Sequence, residues 1–525
     1  MSHKGEDQVS ITDETPRLRA PQIDGETFNH FGNMLRDAAR RHPDKTAVID
    51  GDRRWSWAEF HALVARIAGA LQARGVGPDS MVMSLAENSA EHLALYAGVL
   101  TAGGCMVPLP FSATEAALTK MVADCGAELL FASPRQIDRA RTLSAPQVLP
   151  LEDIAAWCAE AAPATPAEVT PDNLFDMIYS SGTTGTPKGI VHDHRFRSRQ
   201  FSRFPAFGLN GDSIQLMSTP LYSNTTLVAV LTGLVTGGTI VSLGKFDTRA
   251  FLDLSVRHGV THAMLVPVQY MRLLDDPTFD THDLSAYRCK FSTSAPLPAP
   301  LIERIMAHWP GNLVNFYGMT EGGVSTILDC AAHPDKWDTA GRPPAGAEVR
   351  IIDDAGAELP VGAYGEIIGR SGAMMPGYHN APEKTAEIRW RDAEGRDFIR
   401  TGDMGRLDED GFLTLLDRKK DMIISGGFNI YAADLEAVLR QHPQVTDVAV
   451  IAVPSRDWGE TPLGLVVTRP GSTAAAEDIR TWANEQLGKT QRLSRVEFRD
   501  TLPRSEIGKI LKRELRAPYW EEAPA

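Results

Sequence analysis

A chain of 525 residues, 43% hydrophobic and 23% charged, can bury at least one large core and fill a second domain; it is no miniprotein, lone recognition module or wholly disordered polymer. Its 53 Lys and Arg stand against 67 Asp and Glu, a formal charge of −14, which suits it poorly to gripping a nucleic-acid backbone over a broad surface. Five cysteines, Cys105, Cys125, Cys158, Cys289 and Cys330, are odd in number and show no metal-knuckle spacing, so buried or incidental thiols in a reducing compartment are expected.

Met1–Ala20 is polar and has no apolar core, and no run reaches the length of a membrane span. A cytoplasmic protein is expected. Apolar spacing predicts a helix over 31–40, a strand over 46–50 and a strand end leading into a helix over 55–72. Strands follow at 82–85, 106–109 and 129–132, separated by helices at 89–101 and 114–125. This alternation argues for an α/β domain with a mostly parallel sheet. An Ala/Pro/Glu-rich stretch at 159–169 reads as a linker or surface loop. Further strands are expected at 174–179, 239–243, 261–266, 290–293 and 313–316.

Near residue 340 the texture changes. Short, turn-bounded strands at 348–353, 365–369 and 411–416 predict a β-rich subdomain. A strand and helix pattern resumes after Asp417: helices at 433–439 and 475–486, strands at 445–453, 463–467 and 494–498. The expected fold is therefore a large layered α/β N-terminal domain with a β-rich subdomain, residues 1–419. A small mobile α+β domain, residues 420–525, follows it, with the boundary in the charge-dense segment Asp417-Arg418-Lys419-Lys420-Asp421.

The segment Tyr179-Ser180-Ser181-Gly182-Thr183-Thr184-Gly185-Thr186-Pro187-Lys188-Gly189 follows a predicted strand. Glycines let successive N–H groups converge, hydroxyls donate to phosphate oxygens, and Lys188 adds a mobile positive charge. The spacing is not GxxxxGK[ST]. A flexible Ser/Gly loop would share the composition, but a Pro-Lys-Gly ending is less expected of a linker.

Read whole, this loop resembles the signature of the adenylate-forming superfamily, which includes acyl- and aryl-CoA synthetases, the adenylation domains of peptide synthetases, and luciferases. Four more segments carry the resemblance in the family's order. They are Asn315-Phe316-Tyr317-Gly318-Met319-Thr320-Glu321, Ile399-Arg400-Thr401-Gly402-Asp403, Asp417–Asp421 with Gly426-Gly427-Phe428-Asn429-Ile430, and Leu502-Pro503-Arg504-Ser505-Glu506-Ile507-Gly508-Lys509. The resemblance implies a two-step reaction. A carboxylate attacks the α-phosphate of ATP to give an acyl-adenylate and pyrophosphate; a thiol, usually that of coenzyme A, then displaces AMP.

The resemblance also implies roles. Ser181, Gly182, Thr183, Thr184, Gly185, Thr186 and Lys188 would hold the β- and γ-phosphates. Thr320 and Glu321 would lie across from them, with Glu321 as ligand of an implied Mg²⁺. Asp403 would take the ribose hydroxyls and Tyr317 the adenine. Ser294-Ala295-Pro296 would edge the base, where the family commonly has glycine. Arg418 would reach in from the hinge side, and Lys509 would be the adenylation lysine. Lys420 is the implied pivot, and Gly426 and Gly427 would border a pantetheine channel. Tyr222, Asn224, Val266, Gln269, Thr293, Gly318 and Met319 would line the acid pocket, with Pro267 beside them.

Many relatives have histidine at Ser223. Acetate-type enzymes usually close the pocket with tryptophan at Gly318. Glycine leaves it open, so the expected substrate is a fatty, aryl or alicyclic acid rather than acetate. No acidic residue stands near Tyr222 to hold an amino group, and no carrier domain follows Lys509. The expected activity is an ATP-dependent acyl-CoA ligase. An acyl-AMP ligase loading a carrier protein, or a non-catalytic ATP- or acyl-binding relative, are the alternatives. The partners are the acid, ATP and CoA, with no nucleic acid, and the oligomer expected is a homodimer. In the run after the loop, His194 matches a common family histidine. His192, Asp193 and His194 could suggest a metal, but a structural role is the expectation. Arg195, Arg197, Arg199 and Arg203 alternate with Phe196, Phe201 and Phe204. The expectation is a helix with arginines exposed and phenylalanines buried, with one arginine near the CoA phosphate as a further option.

Overall fold

The computed structural model describes residues 17–21, 27–180, 187–418, 422–425, 428–455, 458–487, 492–505 and 508–521. Four sheets organise it. The first has eight strands in the order Ser325–Asp329, Asn312–Gly318, Cys289–Ser292, His262–Leu265, Ile214–Met217, Thr239–Ser242, Thr46–Asp50 and Arg53–Ser56. Its six central strands are parallel and only the two edges are antiparallel. The second has seven strands in the order Gly377–Tyr378, Lys188–Asp193, Leu174–Ser180, Cys105–Pro108, Met81–Leu85, Leu129–Ala132 and Gln147–Pro150.

Between the two sheets lies the largest core. It joins Val48, Met217 and Ile240 of the first sheet to Val82, Met106, Phe131 and Phe175 of the second through helices Phe31–Arg41, Trp57–Gln72, Ala90–Thr101 and Asn224–Thr236. Central strands such as Leu129–Ala132 are wholly buried, as strands covered on both faces must be. Helix Trp57–Gln72 starts where the sequence sets a stop: Ser56 and Glu59 form a reciprocal capping box, and Phe60, Val64, Ile67 and Leu71 turn inward.

The third sheet, Glu348–Ile352, Gly365–Arg370, Asp397–Leu407 and Arg389–Arg391, with Leu413–Arg418 on its long strand, is the β-rich subdomain. The fourth contains Ile423–Ser425, Phe428–Ile430, Gly459–Thr468, Val445–Ser455 and Arg495–Phe498. It encloses its own core of Ile423, Leu435, Leu439, Val448, Val450, Val466 and Ile479. The large α/β part and the small α+β part are those expected from the sequence. No helix among the described residues is long and apolar enough to cross a membrane.

One expectation fails. Helix His194–Arg203 does not turn its arginines outward: Arg197 and Arg199 are buried together with Phe196 and Phe201. The physical reason is that each guanidinium finds acceptors inside. Arg199 donates to the carbonyl of Pro21, and Arg197 meets Asp176. Elsewhere Lys290 is buried on the strand Cys289–Ser292. Its ammonium donates to the carbonyls of Trp309, Pro310 and Gly311 at 2.7–2.9 Å, just past the end of helix Ala299–His308. Burial pushes its pKa down to about 7.

Candidate active site

In a parallel sheet the carboxyl ends of the strands are the natural binding edge. Here those ends lead into the sequence motifs. Ile214–Met217 runs to Tyr222 and Asn224, His262–Leu265 to Val266, Cys289–Ser292 to Thr293–Pro296, and Asn312–Gly318 to Met319–Glu321. The second sheet adds Lys188. The strands Leu174–Ser180 and Lys188–Asp193 pair antiparallel, with Ser180 opposite Lys188, so the Gly/Ser/Thr segment is the connection of a β-hairpin. Ser181, Gly182, Thr183, Thr184, Gly185 and Thr186 lie outside the described residues, as do Lys420, Gly426, Gly427 and the side chain of Arg418.

Lys188 and Glu321 meet through a residue that sequence reasoning missed. The Lys188 ammonium lies 4.9 Å from the ring centre of Tyr378, and the Tyr378 hydroxyl donates to Glu321 Oε1 at 2.8 Å. Burial and the adjoining carboxylate push the Tyr378 phenol well above its usual range, so it remains a donor. The second oxygen of Glu321 has no partner among the described residues. A carboxylate with one oxygen unpartnered among the described residues, linked through Tyr378 to Lys188, is the donor chemistry that Mg²⁺ takes when it is shared with phosphates.

Tyr317 and Asp403 come together from two sheets: the Tyr317 hydroxyl donates to Asp403 Oδ2 at 2.8 Å. Asp403 follows Gly402, which holds a left-handed φ of +68° within the strand Asp397–Leu407, and the Asp403 N–H is taken by Thr401 Oγ1. The backbone of Arg418 pairs opposite Asp403 across the strands. Asn315, two residues before Tyr317 on the same strand and so on the same face, is buried, and its Oδ1 has no partner among the described residues. An orphaned acceptor beside an aromatic ring fits a heterocycle bearing an amino group. The signal was the Asn-x-Tyr alternation, which shares one face of the strand.

Ser294 holds φ +77°, a strained value for a residue with a side chain, and its hydroxyl lies 2.5 Å from Thr225 Oγ1. Ala295 is half-buried and Pro296 exposed. On the acid side, Tyr222 packs edge-on to Phe111 and its hydroxyl is 3.2 Å from Ser112 Oγ. Asn224 accepts from Arg197, and Thr293 is half-buried. Gln269 accepts from the N–H of Val266 and so starts helix Pro267–Leu274. Met319 packs against the cluster of Leu18, Ile190, Met374, Met375 and Tyr378. Gly318 is exposed, and a Cβ there would sit 3.0 Å from the Val324 carbonyl oxygen.

Lys509 is presented by a small hairpin. Arg504 and Ile510 bridge, Ser505 receives the Lys509 N–H on its hydroxyl, and Arg504 ties the Gly508 carbonyl to Asp447 of the strand Val445–Ser455. Gly508 lies at φ +75°, and a Cβ there would be 2.6 Å from Val268 Cγ1 and 3.5 Å from Val266 Cγ2. The lysine hairpin of the small domain therefore rests on the pocket edge of the large one, and glycine is required by both backbone and space.

The chain matches the AMP-binding enzyme family over residues 35–379 and the AMP-binding enzyme C-terminal domain over 434–509. It belongs to the AMP-binding enzyme family. It is 34% identical over 486 residues to a feruloyl-CoA synthase of an Amycolatopsis species, covering 92% of this chain and 97% of the relative. It is 32% identical over 501 residues to the fatty acid–[acyl-carrier-protein] ligase ScoC of Streptomyces coeruleorubidus, covering 92% and 95%. The ATP-bound crystal structure of MatB from Rhodopseudomonas palustris superimposes with a TM-score of 0.85 at 30% identity, covering 93% of this chain and 98% of that one. The apo form of the same protein gives 0.76.

As an AMP-binding enzyme the chain is an adenylate-forming ligase that uses ATP. The neighbouring His194 serves the fold. His194 packs on Phe175, and burial beside His30 lowers its pKa to about 3, so the ring is neutral. Asp193 caps helix His194–Arg203 through the Phe196 N–H. No cluster of metal ligands occurs among the described residues. All five cysteines are buried and free, and burial raises every thiol above its usual range, to about 12 for Cys125, Cys289 and Cys330.

Proposed function

We propose that this protein is an acid–thiol ligase that couples a carboxylic acid to coenzyme A through an acyl-adenylate. The acid is a fatty, aryl or alicyclic one larger than acetate. In the first step the carboxylate oxygen bonds to the α-phosphorus of ATP and the bond to pyrophosphate breaks. In the second the thiol sulfur bonds to the acyl carbon and AMP leaves with the electron pair.

Two anions approach in the first step, so positive charge must be pre-placed where negative charge develops. Lys188 and the loop 181–186 serve the outer phosphates. Glu321, with Thr320 beside it, would hold Mg²⁺, which supplies charge neutralisation at the phosphates. Asp403 takes the ribose; Tyr317, Asn315 and Ser294–Pro296 take the base. Lys509 reaches the carboxylate and α-phosphate from the small domain. Tyr222, Asn224, Val266, Thr293, Gly318 and Met319 face or support the acid. The small domain, turning at Lys420, then presents Gly426 and Gly427 to the thiol.

The observation that best supports this reading is the seating of Gly508 on Val266 and Val268, next in the chain to the Lys509 that would serve the acid. The test is pyrophosphate release with ATP and Mg²⁺ across fatty acids, benzoates, cinnamates and alicyclic acids, with and without CoA. Thioester formed only with CoA supports the reading. No pyrophosphate with any acid overturns it. A second reading, transfer to a carrier protein, is favoured by the similarity to ScoC. Acyl-adenylate that accumulates with CoA present and disappears when a phosphopantetheinylated carrier is added would select it.

A further inference from the structure

The strand that leads into the phosphate loop, Leu174–Ser180, is apolar apart from the terminal Ser180 and from Asp176, its third residue. Asp176 is fully buried and makes four polar contacts. Its Oδ2 accepts from the Tyr96 hydroxyl at 2.7 Å and from Arg197 Nε and Nη2 at 3.0 and 2.7 Å, and its Oδ1 lies 2.5 Å from His192 Nδ1. Burial alone would raise the carboxyl; Arg197 and His192 outweigh it and hold it below the usual range.

From this cluster two arms reach the site. Arg197 is itself wholly buried, and its Nη1 donates to Gln200 Oε1 and to Asn224 Oδ1, both at 2.8 Å. Because Asn224 accepts through its carbonyl oxygen, its NH₂ group is the part left for the acid pocket. His192 Nε2 lies 2.7 Å from the Thr320 carbonyl oxygen, which can only accept, so Nε2 carries the hydrogen. The same ring stacks on Phe196 at 4.0 Å, and Phe196 lies within 2.7 Å of where a Cβ on Gly322 would stand. The helix His194–Arg203 thus packs directly against the turn that holds Thr320 and Glu321.

Burying three ionisable groups costs several kcal/mol per ion before pairing, and apolar residues of similar size stabilise a core as well or better. Packing therefore does not account for them. Full hydrogen bonding in a low dielectric makes such a network stiff and specific in geometry. We propose that Asp176, His192 and Arg197 are positioning residues that hold Asn224 and the Thr320–Glu321 segment in fixed register, so that acid and nucleotide meet in line for adenylation. The proposal rests on the ligase reading above.

The test uses the full chain and both half-reactions, with melting curves for each variant. In His192→Phe, pyrophosphate release at saturating ATP and acid should fall at least about tenfold, as sub-ångström misplacement of reacting groups does. His192→Gln keeps an N–H for the Thr320 carbonyl and should recover to within about threefold of wild type. Arg197→Met should raise the KM for the acid about fivefold or more while the KM for ATP moves less. Thioester formation from supplied acyl-adenylate should stay within about threefold in all of them. A folded His192→Phe with unchanged adenylation overturns the proposal, and so does an equal fall in both half-reactions or a Gln variant no better than Phe. If Arg197→Met does not fold, the His192 pair still decides. Wild type inactive with every acid in the same assay overturns the ligase reading and this proposal together; variants equal to an active wild type overturn this proposal alone.

Discussion

In the large domain, Asp176 and Arg197 are wholly buried, and four of the five N–H groups of Arg197 meet acceptors within 3.0 Å. In the small domain, Lys509 stands exposed on a hairpin braced by the Arg504–Asp447 pair, whose side chains are 24% and 29% accessible. The two regions use charge in opposite ways. A charge that must stay can be desolvated and locked by neighbours. A charge that must arrive and leave has to remain near water, where solvation supports it in both positions and each contact is weak enough to break. In the proposed reaction the difference separates a frame from a moving part.

The largest effect should come from the moving part. Lys509→Ala should cut pyrophosphate release by about a thousandfold while leaving the melting temperature unchanged, since an exposed lysine contributes transition-state charge and little stability. Comparable adenylation by the variant would remove Lys509 from the mechanism. The frame should answer in the opposite sense. Asp176→Ala strands the buried Arg197 and should cost about 3–5 kcal/mol, read as a lower urea midpoint.

Between these lies Arg504→Ala. Losing a partly exposed pair should change stability by less than about 1 kcal/mol, yet loosen the hairpin enough to slow adenylation about tenfold. A stability loss as large as that of Asp176→Ala would blur the distinction between frame and moving part.

The smallest effect tests a buried charge with no place in the site. Lys290 has its pKa lowered to about 7 in the fold against 10.5 when free. The unfolded chain then binds the proton more tightly, so stability should rise with pH from about 7 upward. Above about pH 9 the buried thiols Cys289 and Cys330, raised to about 12, act with the opposite sign, because the unfolded chain loses their protons first. Urea midpoints across pH 7–9 should show the rise in wild type and lose it in Lys290→Met.

The segments of this candidate site stood out in the sequence as motifs, because backbone geometry dictates their residue types. Glycines at tight turns, hydroxyls in a Ser/Thr-rich loop and a Gly-Lys ending near the end of the chain leave spacing patterns. Long-range side-chain pairing leaves none. The Arg/Phe alternation of helix His194–Arg203 reads as an amphipathic face with arginines outward. Only the fold shows that Asp176, two strands' worth of chain earlier, waits inside for Arg197. Tyr378 was missed for the same reason. Its residues 377–378 join the edge of the strand Lys188–Asp193 from far along the chain, and no local pattern announces the contact with Glu321. The layered α/β fold was readable from alternating strands and helices. The antiparallel return of Lys188–Asp193 was not, because a short apolar run after a glycine-rich loop carries no sign of direction.

The five buried cysteines bear on fidelity. An acyl-adenylate reacts with whatever sulfur nucleophile reaches it, and the thiolate is the reactive form. Here every native thiol is enclosed and held protonated, so the activated acyl group finds no competing sulfur among them. Self-acylation at sulfur, a leak that would consume ATP, is closed off by the placement of residues that take no part in the chemistry.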